Sequence, residues 1–321
     1  MKHLDKGNGI FLLFLLVTLL ALPRATYARQ HKVIIFHAGS LSVPFAKMEK
    51  VFEQKHPDID VIREAAGSRA CARKITELGK KADIMASADY KVISNLLMPN
   101  YANFNVLFAT NEMAIAYTTH SKYANEINAQ NWTDIFLKPG VKIGHSNPNL
   151  DPCGYRAVLV TKLAGIYYHK PNFYNQLLGY GDYYTNGEEK KDKIIVRPKE
   201  TDLLGLLEAG SIDYLYIYKS VAKQHHLKYI TLPAQVNLGS KKYADFYKQA
   251  TFKITGKEPG KYIVKKGEPM IYGITIPTNS PHKKQAKLFL DFVLSKEGQK
   301  IMLDAGQGVI NPPKILGQKN F

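Results

Sequence analysis

Cysteine, tryptophan and acidic residues are all scarce in this 321-residue chain. The two cysteines, Cys71 and Cys153, are too few for the disulfide framework of a small secreted scaffold. They leave two readings open: one bridge, or two buried thiols packed as small hydrophobes, of which free thiols are the expectation. Asp and Glu number 27 against 44 Lys and Arg, a formal charge of +17. That surplus favours anionic partners, whether nucleic acid, an anionic membrane surface or a small anion. The lysines are scattered through KKADI, EEKKDK and HKKQAK, and no basic helix or zinc-finger spacing gathers them. Nucleic acid is therefore not expected as a partner.

Long apolar runs are equally rare, with a single one at 10–22. Lys2 and Lys6 precede it, and Pro23 and the small residues up to Ala28 follow it, the pattern of a secretory signal peptide over 1–28. The run is short for a membrane span, and no Cys follows Ala28 to carry a lipid anchor at that junction. The expectation is a protein delivered outside the cytoplasm, periplasmic or extracytoplasmic, with ample length for one large or two medium domains.

The order of elements then carries the fold. HKVIIFHAGSL is a continuous apolar strand ending in a small-residue loop, and Pro44 opens a helix that buries Phe45, Met48 and Phe52 and stops by Pro57. IDVIREAAGS repeats the form, with Ser68 read as the cap of a helix that carries Cys71, Ile75 and Leu78 and closes at Gly79. ADIMASADY is a third short strand. NEMAIAYTT, VKIGHSNPN, KIIVRPKE, IDYLYIYKS and MIYGITIP read as strands, and NWTDIF, RAVLVTKLAGIYY and ETDLLGLLEAG as helices. SPHKKQAKLFLDFVLSKEGQKIM reads as one amphipathic helix, and the polar stretch 179–193 as an exposed loop. Apolar strands alternating with helices mean an α/β fold built on parallel sheet.

Two strand-end loops share the sequence AGS, at Ala38 to Ser40 and Ala66 to Ser68, each leading into a helix. Glycine admits a close ligand, the serine hydroxyl donates one hydrogen bond, and free N–H groups at a helix start donate others. Ligands of open parallel sheets gather at that end of the strands. Together the loops suggest a small oxyanion held by neutral dipoles, although one such Ser alone is as readily a helix cap. In HSNPNLDPCGYR, at 145–156, two X-Pro pairs shape a loop around Asp151, which by itself reads as a turn residue.

The blocks GSLSVPF, REAAGS, ARKITELGKKADIMASADY, SNPNLDPCGYR, ETDLLGLLEAGSIDYLYIYKSVA and YGITIP resemble the archaeal-type tungstate/molybdate-binding proteins, solute receptors of ABC importers. The resemblance covers roughly 32–313. It implies the class II periplasmic solute-binding fold, two α/β lobes joined by crossing hinge strands: a first lobe over 29–111 plus 277–321 and a second over 112–276. NEMAIAY and MIYGITIP would be the crossings, with hinges at 110–113 and 273–277. It implies a six-coordinate metal centre, with four oxo groups of the anion plus carboxylate oxygens from Asp151 and Glu200. The oxo groups would be held by Ser40, Ser68, the Tyr218 phenol and backbone N–H groups near Leu41 and Cys153, with Pro152 only shaping the turn. Tungsten(VI) and molybdenum(VI) favour oxygen donors and can widen to octahedral coordination, whereas the sulfur of sulfate cannot. The same carboxylates would repel sulfate and phosphate. The implied partners are the anion and a cognate ABC permease, the implied state a monomer, and no separate cofactor.

Other readings stay open beside this one. Glu200 also reads as an acidic residue favoured at a helix start, and Tyr214, Tyr216 and Tyr218 as a packing stripe on one strand face. Arg156 is either a carboxylate's partner or a surface arginine. A ferric-iron receptor of the same fold would use a tyrosine cluster, a sulfate or phosphate receptor would lack the carboxylates, and an enzyme would need a base for Cys153 among His145, His225 and His226. None of these histidines has a recognisable spacing to Cys153, and catalysis is not expected.

Overall fold

A computed structural model describes residues 31–187, 189–190, 192–258 and 260–318. The expected leader at 1–28 lies outside the described residues. In chain order the strands are β1 (His31–Ala38), β2 (Ile59–Ala66), β3 (Ile84–Ser87), β4 (Phe104–Thr110), β5 (Met113–Tyr117), β6 (Ile143–Ser146), β7 (Ile194–Arg197), β8 (Tyr214–Tyr218), β9 (Lys228–Thr231), β10 (Thr251–Thr255), β11 (Tyr262–Lys266), β12 (Ile271–Thr275) and β13 (Gly308–Gly317).

They form two mixed sheets, one per lobe, and a separate hairpin. The first sheet runs β13-β4-β12-β3-β1-β2 and the second β7-β6-β8-β5-β9, while β10 and β11 pair only with each other as a ladder. In the first sheet β1 is parallel to β2 and β3, and β12 enters antiparallel between β3 and β4. In the second sheet β6 is parallel to β7 and β8, and β5 is antiparallel to β8 and β9.

The apolar character of β1 follows from burial on both faces. Val33 and Ile35 face helix Ser42–Lys55, whereas Phe36 joins Cys71, Ile75 and Met85 in a second cluster beneath helix Ser68–Thr76. Phe52 meets Phe289 edge to face at 5.1 Å and stands 5.8 Å from Phe292, which ties the first helix to helix Lys283–Leu294. Full burial of one such ring contributes about 2 kcal/mol. In the second lobe Trp132 makes edge-to-face pairs with Phe136 at 5.1 Å and Phe173 at 5.4 Å. The expected tyrosine stripe supports this layer: Tyr216 packs on Trp132 and Phe136, and Tyr214 on Phe136.

Several elements differ from the reading of the sequence. The final amphipathic stretch is two helices, Lys283–Leu294 and Lys296–Asp304, broken where Ser295 turns extended and its hydroxyl accepts from the Gly298 N–H at 3.2 Å. Gly67, not Ser68, is the N-cap of helix Ser68–Thr76, and Ser68 makes no capping bond. The connection at 179–193 is anchored rather than wholly exposed, since Tyr180 and Tyr184 are buried and the Tyr180 hydroxyl shares a 2.7 Å hydrogen bond with His145 Nε2. The chain leaves the first sheet between β4 and β5. Its return comes earlier than 273–277, because Ile271–Thr275 is already paired with β3 and β4.

Candidate functional site

Both AGS loops sit at the carboxyl ends of their strands and point at the second lobe. The first forms the 3-10 turn Gly39–Leu41 before helix Ser42–Lys55, and Gly39, Ser40 and Leu41 are all buried. The second ends β2, with Gly67 and Ser68 buried. Across from them are Asp151, at the start of helix Pro152–Tyr167, and Glu200, which opens the 3-10 turn Glu200–Leu203 after β7.

Asp-Pro explains the local geometry of Asp151. It is the N-cap, with extended backbone and Pro152 at the first helical position, where a missing N–H costs nothing. Its Oδ1 accepts from the Cys153 N–H at 3.1 Å and its Oδ2 from the Glu200 N–H at 3.0 Å. One carboxylate thus fixes both second-lobe loops. The Cys153 N–H, expected to point freely toward a ligand, is directed at Asp151 instead.

Contact between the lobes is close. A Cβ on Gly39 would stand 2.9 Å from both Glu200 carboxylate oxygens, and one on Gly67 would collide with the Leu150 carbonyl and lie 2.9 Å from Asp151 Cβ. The N–H groups of Arg69 and Ala70 donate to that Leu150 carbonyl at 3.0 and 3.2 Å. Asp151 and Glu200 are each 1 % exposed. Both oxygens of Glu200 are buried, and the group they meet is the carboxyl of Asp151, with which a proton can be shared. Burial first, and then the charge of Asp151, hold the Glu200 carboxyl well above the usual carboxylate range. Asp151 is also raised by burial, against the hydrogen bonds that favour its charged form.

Three hydroxyls line the same place, and each is held by a neighbour. Ser68 Oγ accepts from the Ala88 N–H at 3.0 Å. Tyr218 Oη, at the end of β8, accepts from Arg156 Nη1 at 2.8 Å. Ser40 Oγ lies 2.9 Å from Tyr272 Oη, which in turn accepts from Asn111 Nδ2 at 2.9 Å. With their acceptor sides occupied by fixed donors, Ser68 and Tyr218 keep their hydrogens for something else. The Asn111 amide leaves the Tyr272 proton available for Ser40, and so frees the Ser40 proton too.

Ser40, Leu41 and Ser68 of the first lobe and Asp151, Cys153, Glu200 and Tyr218 of the second are thus all buried around one junction. Arg156 is a buried indirect partner of a carboxylate rather than a surface residue: its charge favours the ionised Asp89, and its Nη1 donates to the Ala88 carbonyl at 2.8 Å as well as to Tyr218. Glu64 pairs with Lys74 on the surface. Tyr272, Asn111 and the Ala88 backbone complete the site, and sequence reasoning missed them. Tyr272 had a signal in its place within MIYGITIP, but as a core strand residue rather than a polar one. The cysteines are free and buried, Cys71 Sγ on the His37 carbonyl at 3.5 Å and Cys153 Sγ on that of Tyr216 at 3.7 Å.

Comparison with known proteins adds the relatives. The profile of a family described as bacterial extracellular solute-binding protein matches residues 33–307. An uncharacterized solute-binding protein of Petrotoga mobilis is 50% identical over 98% of this chain and 94% of its own length. The molybdate/tungstate-binding protein WtpA of Pyrococcus abyssi is 48% identical over 89% of this chain and 87% of its own. Among solved structures, the Azotobacter vinelandii periplasmic molybdate-binding protein superposes with a TM-score of 0.61 at 13% identity, covering 86% of this chain and 98% of that one, which shows the shared fold.

Proposed function

This chain belongs to the bacterial extracellular solute-binding protein family, and we propose that it captures tungstate or molybdate outside the cytoplasm for a cognate ABC permease, acting as a monomer. The observation that carries this reading is the buried carboxyl pair of Asp151 and Glu200, which contact each other and are both raised by burial, at a junction that also buries the hydroxyls of Ser40, Ser68 and Tyr218. Such a carboxyl pair needs a positive centre, and such hydroxyls need acceptors. An oxyanion of a high-valent metal supplies both, with Asp151 and Glu200 as oxygen donors to the metal and Ser40, Ser68 and Tyr218 as donors to its oxo groups. Leu41 would add its N–H, while the Cys153 N–H would orient Asp151.

The lobes of this receptor would divide at the crossings between β4 and β5 and just before β12, giving 31–110 plus 271–318 and 113–270. The expected leader at 1–28 and the family support delivery to the periplasm or its equivalent. Alternatives fit less well. The tyrosine cluster of an iron receptor is not assembled, since the hydroxyl of Tyr214 donates to the Lys122 carbonyl and that of Tyr216 bonds Thr161. Sulfate would meet the two buried carboxyls of Asp151 and Glu200. A nucleophilic role for Cys153 is opposed by burial, which pushes its thiol well above the ordinary range.

Isothermal titration of ligand-stripped protein with tungstate, molybdate and sulfate tests the reading. Tight one-to-one binding of the first two, absence of sulfate binding, and loss of binding in Glu200→Ala are expected. Sulfate binding comparable with that of tungstate would overturn it.

A further inference from the structure

The loop at 87–89 is a third strand-end loop of the first sheet, and the ligand shell proposed above makes no use of its carboxylate. Asp89 is 2 % exposed, and two side chains of the second lobe reach its Oδ2: Lys265 Nζ of β11 at 2.6 Å and the Tyr155 hydroxyl. Asp89 Oδ1 accepts from the Lys91 N–H at 2.9 Å. The adjacent Ala88 carbonyl accepts from Arg156, and the Ala88 N–H donates to Ser68. One short loop is thus gripped by the second lobe on one side and holds a ligand-facing serine on the other.

Lys265 belongs to a strap. The hairpin β10–β11 is fastened to the second lobe, with the Thr255 N–H on Asn149 Oδ1 at 2.9 Å and the Lys253 N–H on the Asp182 carbonyl at 2.8 Å. It also reaches the first lobe, where Arg73 Nη2 donates to the Gly256 carbonyl at 3.1 Å and Lys91 pairs with Glu268. From Glu268 the chain runs on into β12, the return crossing.

We propose that Asp89 and Lys265 are positioning residues that latch the closed lobes and set how long a bound oxyanion stays. The 2.6 Å pair between them crosses the lobes. Removing one partner leaves Lys265 with only Glu268 at 3.9 Å, or Asp89 with only the Tyr155 hydroxyl, the Lys91 N–H and the more distant Arg156 charge, on closure, which penalises the closed state more than the open one. Burial by itself would push the Asp89 carboxyl up, but Lys265 and Arg156 outweigh it and hold the group below the usual carboxylate range.

The ligand readout rests on the oxyanion-receptor reading, so the test has two arms. In stopped-flow fluorescence with tungstate, Lys265→Met and Asp89→Asn should release the anion at least about tenfold faster, with association within about threefold of wild type. Lys265→Arg should recover most of the residence time. Unchanged release in both variants, or Arg behaving like Met, overturns the latch, and the near-isosteric Asp89→Asn covers the case in which Lys265→Met does not fold. If the wild-type protein binds no tungstate, the receptor reading falls. The latch then stands on small-angle scattering of the ligand-free protein, where Lys265→Met should enlarge the radius of gyration and an identical profile would refute it.

Discussion

Gly39 and Glu200 face each other across the cleft with no room for a methyl group between them, because a Cβ on Gly39 would stand 2.9 Å from both carboxylate oxygens. Gly67 is pressed in the same way against the Leu150 backbone. The two glycines differ in what a side chain would strike. In Gly39→Ala the methyl meets the far end of a flexible side chain, so tungstate affinity should fall about tenfold while closure survives. In Gly67→Ala it meets backbone that cannot yield, so closure fails and affinity should fall at least about a hundredfold. Titration of both variants checks the order, and equal losses would contradict it.

Glu200→Gln removes a buried carboxyl whose charged form is penalised by burial and by the neighbouring Asp151. The ligand-free protein should gain about 1–3 kcal/mol of stability near neutral pH while losing tungstate binding. The sign follows from linkage: with a raised folded-state value, the contribution of Glu200 is fully present below its unfolded value and is lost as pH rises through the raised one. In thermal melts from acid to neutral pH the Gln variant should therefore gain on wild type as pH rises.

His37 and His145 act in the opposite direction. Burial lowers both to about 4, so the stability they contribute is present above about pH 6.5 and is lost as pH falls toward 4. Each costs about 1.4 kcal/mol per pH unit across that window. In the Glu200→Gln background, which removes one of the two opposing carboxyls, His145→Asn should clearly reduce the acid slope. An unaltered slope would mean that His145 does not titrate as its burial requires.

Tyr218→Phe leaves the ring packed and removes one hydroxyl between Arg156 and the ligand. The expected loss in tungstate affinity is about tenfold, in line with one hydrogen bond to a charged group, with the preference over sulfate retained. Asp151→Ala should be more severe, since it abolishes binding and also costs about 1 kcal/mol of helix capping. Chemical denaturation alongside titration separates the two effects.

Burial pushes the Cys71 thiol up to about 12 and holds the Cys153 thiol well above its ordinary range. Neither should react with a thiol-specific reagent in the native protein, and both should react on unfolding. Modification of Cys153 in the native state would show that the site opens far more than a closed receptor allows.

Strand-loop-helix units were legible because their signals are local. Apolar runs ended in small residues, and Asp151 and Glu200 could be placed from the blocks that resemble a known family. What escaped was set by partners distant in sequence. Ser68 reads as a cap from its neighbours, but its hydroxyl is held by Ala88, twenty positions on. MIYGITIP reads correctly as a strand, yet its membership of the first sheet depends on β3 and β4, which no local pattern reveals. Arg156 carries no mark of burial until the Ala88 carbonyl and Tyr218 are brought to it. Ser295 is the exception, since a serine ahead of Lys-Glu-Gly is a readable helix start that continuous amphipathicity obscured.

The strand order also dictates an order of assembly. All five strands of the second sheet come from one uninterrupted stretch, 113–231, whereas the first sheet joins strands from both ends of the chain. The inner edge of β3 waits for β12, and the outer edge of β4 for β13. As the polypeptide emerges from its N-terminus, the second lobe can finish while the first is still an incomplete, sticky half-sheet. The last segment made is therefore a clasp: a chain cut short before β12 would keep Asp151, Glu200 and Tyr218 on a finished lobe and have no stable partner lobe to close against.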